Sequence, residues 1–358
     1  MKNSVDYIIV GQGIAGSVLG LQLIKKGYSI LVIDQGYKNS SSYVAAGLIN
    51  PTVLKRITKT WRAEEFIKYN NLFYKGLHEF LNGTYYYKTP FSKLINSTEE
   101  KDFWKHRFEQ EGVSNYIEKK LKKVENSEQF NTPYLEGKVK NTAWLNIKPF
   151  LADFRKHILN KESLLKEKLD FKELKHYSKH IEYKGIKAKK ILFCEGAKIS
   201  ENPFFNYIPM VLNKGELITI KTSNFRSNKI LKKKVFVLPI DKETYKIGAT
   251  FEWKWESEKP SEKKKSELET DFKNISSANY EIINHEAGVR PSSRDRRPVI
   301  GLHPDYKNFG VFNGLGSRGC LMAPLLSKEF VLFLEEKKIV SNEADVKRFE
   351  KFRPNSNA

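Results

Sequence analysis

The stretch from residue 5 to residue 34, VDYIIVGQGIAGSVLGLQLIKKGYSILVID, constrains the fold more than any other part of this chain. Residues 5 to 10 read as a buried strand, Gly13 to Lys26 as a helix, and Ser29 to Ile33 as a second strand that ends at Asp34. A strand, a helix and a strand in so short a span form a right-handed crossover, so both strands lie parallel in one sheet. Gly11, Gly13 and Gly16 stand at the first strand-to-helix turn, where a pyrophosphate needs them. The first allows the tight turn, the second lets backbone approach the phosphate, and the third lets helix and strand pack closely, with the helix N-terminus facing the negative charge. Asp34, 18 residues past Gly16, stands where an acid takes ribose hydroxyls. Gln35 and Gly36 follow it instead of Lys or Arg, which disfavours the 2′-phosphate of NADP; NAD and FAD both stay open.

A second glycine series, Gly314, Gly316 and Gly319, again falls between an expected strand and helix. Only 39 residues follow it, too few for another crossover and acid-bearing strand. It is therefore expected to bring a second helix N-terminus to the ligand already bound, where a positive helix end suits a ring that gains negative charge on reduction. Between the two lies GVRPSSRDRRPVIG, from residue 288, whose prolines exclude regular helix. Arg290 could present its planar fork to a carboxylate or close a structural salt bridge, and Arg318 has the same two readings. Arg294, Arg296 and Arg297 around Asp295 are expected to pin a turn, and His285 to be structural.

Length and composition fit two joined domains: 358 residues, 40% of them apolar, with 23 Phe and 17 Tyr for burial. The 63 Lys and Arg against 42 Asp and Glu give +21, which would attract polyanions if clustered and means little if spread over solvated faces. Cys194 and Cys320 are too few for a disulfide framework and suit a reducing cytoplasm. No apolar run reaches the roughly 18 residues of a membrane span and no signal-peptide core is present, so a soluble chain without membrane attachment is expected. The seven histidines show no metal-binding pairing and no serine sits in a nucleophile elbow, so neither metal nor acyl-transfer chemistry is expected.

Elsewhere Phe66, Tyr69, Phe73, Leu77 and Phe80 space as one helix over about 63 to 81, and charged helical stretches surround Trp104 and Tyr116. Residues 189 to 193 read as a strand running into Cys194, Glu195 and Gly196. GELITI, VFVLPI and YKIGATFEW, between 214 and 253, alternate as antiparallel strands. A charged run, 256 to 265, precedes a helix over 266 to 275; a strand over 308 to 313 and a helix over 323 to 337 follow, and beyond Val340 the chain turns polar and is expected to fray. The fold class is α/β with α+β character. A Rossmann-like domain around a parallel sheet takes residues 1–75, 142–206 and 285–340; a substrate domain with a mostly antiparallel sheet takes 76–141 and 207–284; and 341–358 form a polar tail.

Taken together, GQGIAG with Asp34, SSYVAAGLINP at 42 to 51, ILFCEGAKIS, NKGELITI, GVRPSSRDRRPVIG and GLGSRGCLMAP resemble, in order and over nearly the full length, the D-amino-acid oxidase superfamily of FAD-dependent oxidoreductases. SRDRRPVIG, PDY at 304 to 306 and GLGSRG followed by APL are most similar to the FAD-dependent C-terminal domain of the bifunctional tRNA 5-methylaminomethyl-2-thiouridine biosynthesis proteins, with glycine oxidase also similar. Glycine oxidases would show a histidine where Leu315 stands. The resemblance implies a non-covalent FAD, since the flavin-attached cysteine of sarcosine oxidase would fall near Gly288. It implies that Gly11, Gly13, Ile14, Ala15, Gly16, Asp34, Gln35, Ser42, Ala45, Ala46, Gly47, Glu195 and Gly196 hold FAD, and that Gly316, Ser317, Arg318, Gly319, Cys320 and Leu321 run beside the flavin ring. Arg290 would grip a substrate carboxylate, with Phe251 and Arg318 lining the pocket. Cys194 and Glu195 replace the family's alanine and threonine and change the polarity there.

The implied reaction moves hydride from a carbon bearing a neutral amine to flavin N5, and the imine hydrolyses. In the tRNA branch this would turn carboxymethylaminomethyl-uridine into aminomethyl-uridine. The alternatives are a small amine or amino-acid oxidase of glycine-oxidase type and a non-catalytic, basic nucleic-acid-binding flavoprotein.

Overall fold

The computed structural model describes residues 3–36, 38 and 40–353. Strand Ser4–Val10 lies between Ile30–Ile33 and Ile186–Phe193, parallel to both, and Leu164–Leu165 extends the parallel order beyond Ile30–Ile33. The far edge of Ile186–Phe193 is shared: antiparallel Ile181–Tyr183 takes its first half and parallel Phe309–Asn313 its second. Antiparallel Val299–Leu302 and Leu174–His176 complete the sheet. These central strands are buried on both faces, which is why they read as unbroken apolar runs.

The first helix, Ile14–Lys25, buries most of its circumference, with Val18, Leu19, Leu21 and Leu23 fully enclosed. One of its neighbours is the last helix, Gly319–Leu334, which carries Pro324 inside its second turn. Proline has no N–H, so the carbonyl four residues back, that of Cys320, loses its helical donor. The Tyr74 hydroxyl supplies a replacement at 2.7 Å, and the neighbouring Leu321 carbonyl accepts from Asn70 Nδ2 at 3.0 Å.

A second eight-stranded sheet runs in the order 281–293, 210–221, 244–248, 236–239, 230–232, 91–95, 135–139, 122–123, antiparallel except where Ile230–Lys232 meets Phe91–Ile95. One face packs Ile218, Ile220, Val237, Tyr245 and Ile247 against Leu268 and Phe272 of helix Glu262–Lys273. The other places Leu217, Phe236 and Leu238 in one cluster with Val44 and Ala46, from the segment that follows Asp34. The long edge strand Glu281–Ser293 pairs with Met210–Lys221 so that Asn213 stands opposite Arg290 and Gly215 opposite Gly288, with one register shift between Thr219 and Ile220.

Several expectations need correction. The helix expected over 63 to 81 is two, Ala63–Lys75 and Leu77–Leu81, joined at Gly76. No helix surrounds Tyr116: Gly112, at φ +71°, lies past the end of helix Thr98–Phe108, and the Tyr116 carbonyl accepts from Lys140 N as the chain runs alongside Leu135–Val139. The strand at YKIGATFEW stops at Gly248, after which the Thr250 hydroxyl accepts from Glu216 N. The charged run is absorbed at its end into Glu262–Lys273, capped by Ser261. The last helix begins at Gly319 rather than Ala323 and ends at Leu334. Residues 341–353 do not fray: Ile300 N bonds the Ala344 carbonyl, Val346 and Phe349 are buried, and Val346–Phe352 forms 3₁₀ helix. Ala344, Val346 and Phe349 were enough to dock a segment that is otherwise mostly polar. The last five residues of the expected tail, 354–358, lie outside the described ones. Among the described residues no helix is long and apolar enough to cross a membrane.

Candidate active site

The glycine turn is a cradle that side chains would fill. A Cβ on Gly11, which has φ +96°, would stand 2.6 Å from the Cys194 carbonyl oxygen, and one on Gly16 would stand 1.9 Å from the Gly11 oxygen. These contacts draw the helix start onto the sheet. Gly13 caps the helix without a side chain, and Ser42 Oγ accepts from Ile14 N at 2.9 Å. Asp34 closes the far side: Oδ2 accepts from Gln12 N at 2.9 Å, and Oδ1 from Arg155 Nη1 at 2.8 Å. Arg155 also bonds Gln12 Oε1 at 2.7 Å, and Gln12 is fully buried. Neither Gln12 nor Arg155 was marked by the sequence, because Arg155 comes from helix Ile147–Asn160, more than a hundred residues away.

The other segments close in around this turn. Gly47, at φ +75°, passes within 1.9 Å of the Leu145 oxygen measured from a built Cβ, which fixes the course of Ala45 and Ala46. Glu195 Cα lies 3.4 Å from a built Gly11 Cβ, and the Gly196 carbonyl accepts from Asn313 Nδ2 at 2.9 Å. Burial pushes the Glu195 carboxyl up to about 7, opposed by a bond from Asn202 Nδ2 at 2.7 Å. Gln35 is exposed beyond Asp34, and Ser317 is exposed within the 3₁₀ turn Gly316–Arg318.

The second glycine series lies beside the first. A Cβ on Gly319 would meet Ile14 Cγ2 at 2.8 Å, so the starts of the first and last helices touch. Ala15 sits in the first turn of one; Cys320 and Leu321 are buried in the first turn of the other, the Cys320 thiol pushed up to about 12 by burial.

The edge strand Glu281–Ser293 joins these parts to the second sheet. A Cβ on Gly288 would stand 3.0 Å from Ser41 Cα, in the short helix Ser41–Val44, and Ser292 pairs with Leu315 beside Gly316. Between them, Arg290 Nη1 donates to Asn213 Oδ1 at 2.7 Å and to the Thr250 carbonyl at 3.3 Å, and the guanidinium lies 4.5 Å from the centroid of Phe251. Phe251 is 60% exposed, so its ring stands between that guanidinium and the solvent. Arg318 Nη1 donates to Thr60 Oγ1 at 2.7 Å and the Asn50 carbonyl at 3.3 Å, while Nη2 donates to the Thr52 carbonyl at 3.3 Å. Neither arginine meets a carboxylate among the described residues. Burial pulls both guanidinium groups down to about 10, which leaves them charged at neutral pH. Each is thus a shielded cation with only neutral acceptors among the described residues, an arrangement that leaves its charge uncompensated.

The turn around Asp295 is held differently from expectation. Arg294 and Arg296 are exposed, and the Asp295 carboxylate is taken by Arg348, at 2.7 Å, and by Arg297 N. His285 lies 2.8 Å from Glu216, a buried contact away from Arg290, as a structural residue should. Sequence reasoning missed Asn213, whose only signal is its register opposite Arg290, and two lysines, Lys148 and Lys246. Lys148 bonds Glu286 at 2.6 Å and lies 4.6 Å from the Tyr43 ring centroid, and burial pulls Lys246 down to about 8.

Comparison with known proteins agrees with this fold. The family model described as DAO, FAD dependent oxidoreductase, matches residues 6–331. A glycine oxidase of Pseudomonas aeruginosa is 26% identical over 144 residues, a stretch that spans 39% of this chain and 40% of that enzyme. Among solved structures, an iminodiacetate oxidase of Chelativorans sp. BNC1 superposes with a TM-score of 0.79 at 16% identity, covering 94% of this chain and 98% of that one. A glycine oxidase of Geobacillus kaustophilus superposes with 0.79 at 17% identity, covering 97% and 98%.

Proposed function

The chain belongs to the DAO family of FAD-dependent oxidoreductases, and from that premise we propose that it oxidises the C–N bond of a carboxymethylamine, a substrate whose amine nitrogen bears a CH2–COO⁻ arm. The observation that carries the proposal is Arg290: a shielded guanidinium with neutral partners only, between the segments that the resemblance assigns to the flavin and the exposed Phe251 ring. The glycine oxidase and iminodiacetate oxidase neighbours, whose named substrates carry this group, support the same class.

The residues present fit FAD. The glycine cradle at 11, 13 and 16 and the anchored Asp34 would hold the pyrophosphate and adenosine ribose; Ala45, Ala46, Gly47 and the two helix starts would surround the ring. When bound, FAD supplies the acceptor for a hydride from the substrate carbon. The chain's own part is to bind and orient. Arg290 takes the carboxylate, Asn213 and Thr250 hold the fork, and Phe251 covers its face. The amine enters neutral, so its lone pair forms the C=N bond as the hydride leaves and no protein base is needed. Water then adds to the imine, releasing glyoxylate and the shortened amine. The N-terminus of Gly319–Leu334 offers a positive helix end to the charge that develops on the acceptor. We assign residues 1–75, 142–206 and 285–340 to the cofactor side and 76–141 with 207–284 to the substrate side, a division that the two large sheets support except at 285–293, which belong to the edge strand of the second sheet. The two buried, unpaired thiols suit a cytoplasmic protein.

A second reading puts the carboxymethylaminomethyl arm of a tRNA wobble uridine in the same grip. One observation favours it: Phe251, which lies over Arg290, is followed by exposed Trp253 and Lys254, and hairpin 52–59, whose Thr52 carbonyl accepts from Arg318, exposes Lys55, Arg56 and Lys59. Aromatic and basic side chains together suit unstacked nucleotides. The test is anaerobic mixing of the flavin-loaded protein with sarcosine, with iminodiacetate and with tRNA bearing the modified uridine. Bleaching of the flavin's visible absorbance by a small amine, with glyoxylate formed, supports the first reading. Bleaching by the tRNA alone replaces it with the second, and no bleaching by any of the three overturns both in favour of a non-catalytic flavoprotein.

A further inference from the structure

Arg318 is shielded, charged and without a carboxylate among the described residues, although the fold supplies one to three other shielded arginines. Arg62 meets Glu65 and Glu329, Arg155 meets Asp34, and Arg348 meets Asp295, with arginine side chains 15–17% exposed. Arg318 receives three neutral oxygens instead, from Asn50, Thr52 and Thr60. Those bonds use Nη1 and one proton of Nη2, so Nε–H and the other Nη2 proton have no protein partner among the described residues.

Its place relative to Arg290 follows from the backbone. Arg290 and Ser292 lie two residues apart on one face of the edge strand, a step of about 7 Å. Ser292 pairs with Leu315, and Arg318 N donates to the Leu315 carbonyl at 3.1 Å, so Arg318 stands one turn from the end of that step. The same face of the strand, at Gly288, packs on Ser41, and the chain that runs on from Ser41 reaches Asn50, whose carbonyl accepts from Arg318. Both guanidinium groups therefore border one cleft, between the edge strand and residues 41 to 52.

We infer that Arg318 forms a second anion subsite of this cleft, so that the preferred substrate is a secondary amine with two acid groups, one held by each arginine. The inference rests on the reading of Arg290 as the carboxylate grip. It deepens that reading, since glycine or sarcosine would fill one subsite and leave the second cation facing water. A guanidinium that is already desolvated and fixed by three bonds binds an anion without much further ordering, and such charge-assisted bonds are among the stronger ones.

The test uses the flavin-loaded protein and two unreactive analogues, thiodiacetate with two carboxylates and (methylthio)acetate with one. Binding is read by calorimetry and by perturbation of the flavin spectrum. Thiodiacetate is expected to bind at least about tenfold more tightly, and Arg318→Gln to bring the ratio of the two affinities close to one. Equal binding of both analogues by the unsubstituted protein overturns the second subsite and leaves the Arg290 grip standing, and so does a ratio unchanged in Arg318→Gln. If neither analogue binds, the Arg290 grip falls as well. The comparison of analogues on the unsubstituted protein decides the matter even where Arg318→Gln does not fold.

Discussion

Replacing Arg290 by glutamine separates a substrate grip from a structural tie, because the two roles predict opposite changes in stability. A guanidinium and a carboxylate about 4 Å apart attract by about 4 kcal/mol at an effective dielectric near 20. Water returned to both groups brings the net worth of such charge-assisted bonds nearer 1.5–3 kcal/mol. Arg290 gives Nη1 to Asn213 and Thr250, which leaves Nε and Nη2 as a fork for the carboxylate. Losing both bonds should cost about 3 kcal/mol in kcat/KM, roughly two orders of magnitude. Arg290→Lys keeps the charge but not the fork and should cost about tenfold. Arg290 has no carboxylate partner among the described residues, so Arg290→Gln removes a desolvated charge from the folded state and the melting temperature should hold or rise. The assay is steady-state turnover of the best amine, beside thermal melting and flavin content. A kcat/KM within threefold of the parent would refute the grip, and a fall in melting temperature that matches the loss of activity would make Arg290 a structural residue.

Three further outcomes follow from other parts of the molecule. Gly16→Ala drives a methyl into the Gly11 carbonyl, so purified protein should carry little flavin; a full complement would show that the turn relaxes at no cost. Tyr74→Phe withdraws the donor from the Cys320 carbonyl and should cost about 1–2 kcal/mol, a drop of a few degrees in melting temperature, and an unchanged melting curve would contradict the repair role. Glu195 has a folded-state pKa raised from 4.5 to about 7, so the folded chain binds the extra proton and stability falls as pH rises from about 4.5 to 7, then levels. Glu195→Gln should therefore match the parent near pH 5, exceed it in melting temperature near pH 8, and show no such slope; parallel pH profiles would count against a buried, titrating carboxyl.

The crossover from strand to helix to strand was legible because its signals are local: apolar runs of the right length, three glycines and an acid. The second glycine series was legible for the same reason, helped by how little chain follows it. What escaped was whatever depends on a partner distant in sequence. Arg155 is an unremarked helix residue until the fold brings it to Asp34. Asn213 becomes part of the site only through the register of two strands. The region around Tyr116 has helical composition, but a strand edge at Leu135–Val139 took its backbone. Arg290 and Arg318 were picked as residues with two readings each, and the choice between readings needed the absence of a carboxylate beside them.

The edge strand with Arg290 also limits how a chain of this kind could change what it acts on. Its side chains alternate, so a one-residue slip would carry Arg290 to the face that packs on helix Glu262–Lys273, and a two-residue slip would displace it by about 7 Å. Neither is a small adjustment. The register shift at Thr219 and Ile220 lies toward the other end of the pair, so it absorbs irregularity without moving Asn213 or Arg290. As the proposed acid grip, Arg290 is thus a fixed point, and substrates of different length have to be met around it: at Arg318, at hairpin 52–59 and at the loop that bears Phe251. Selection for a new amine would find its workable changes there, in segments whose length can vary without breaking a sheet.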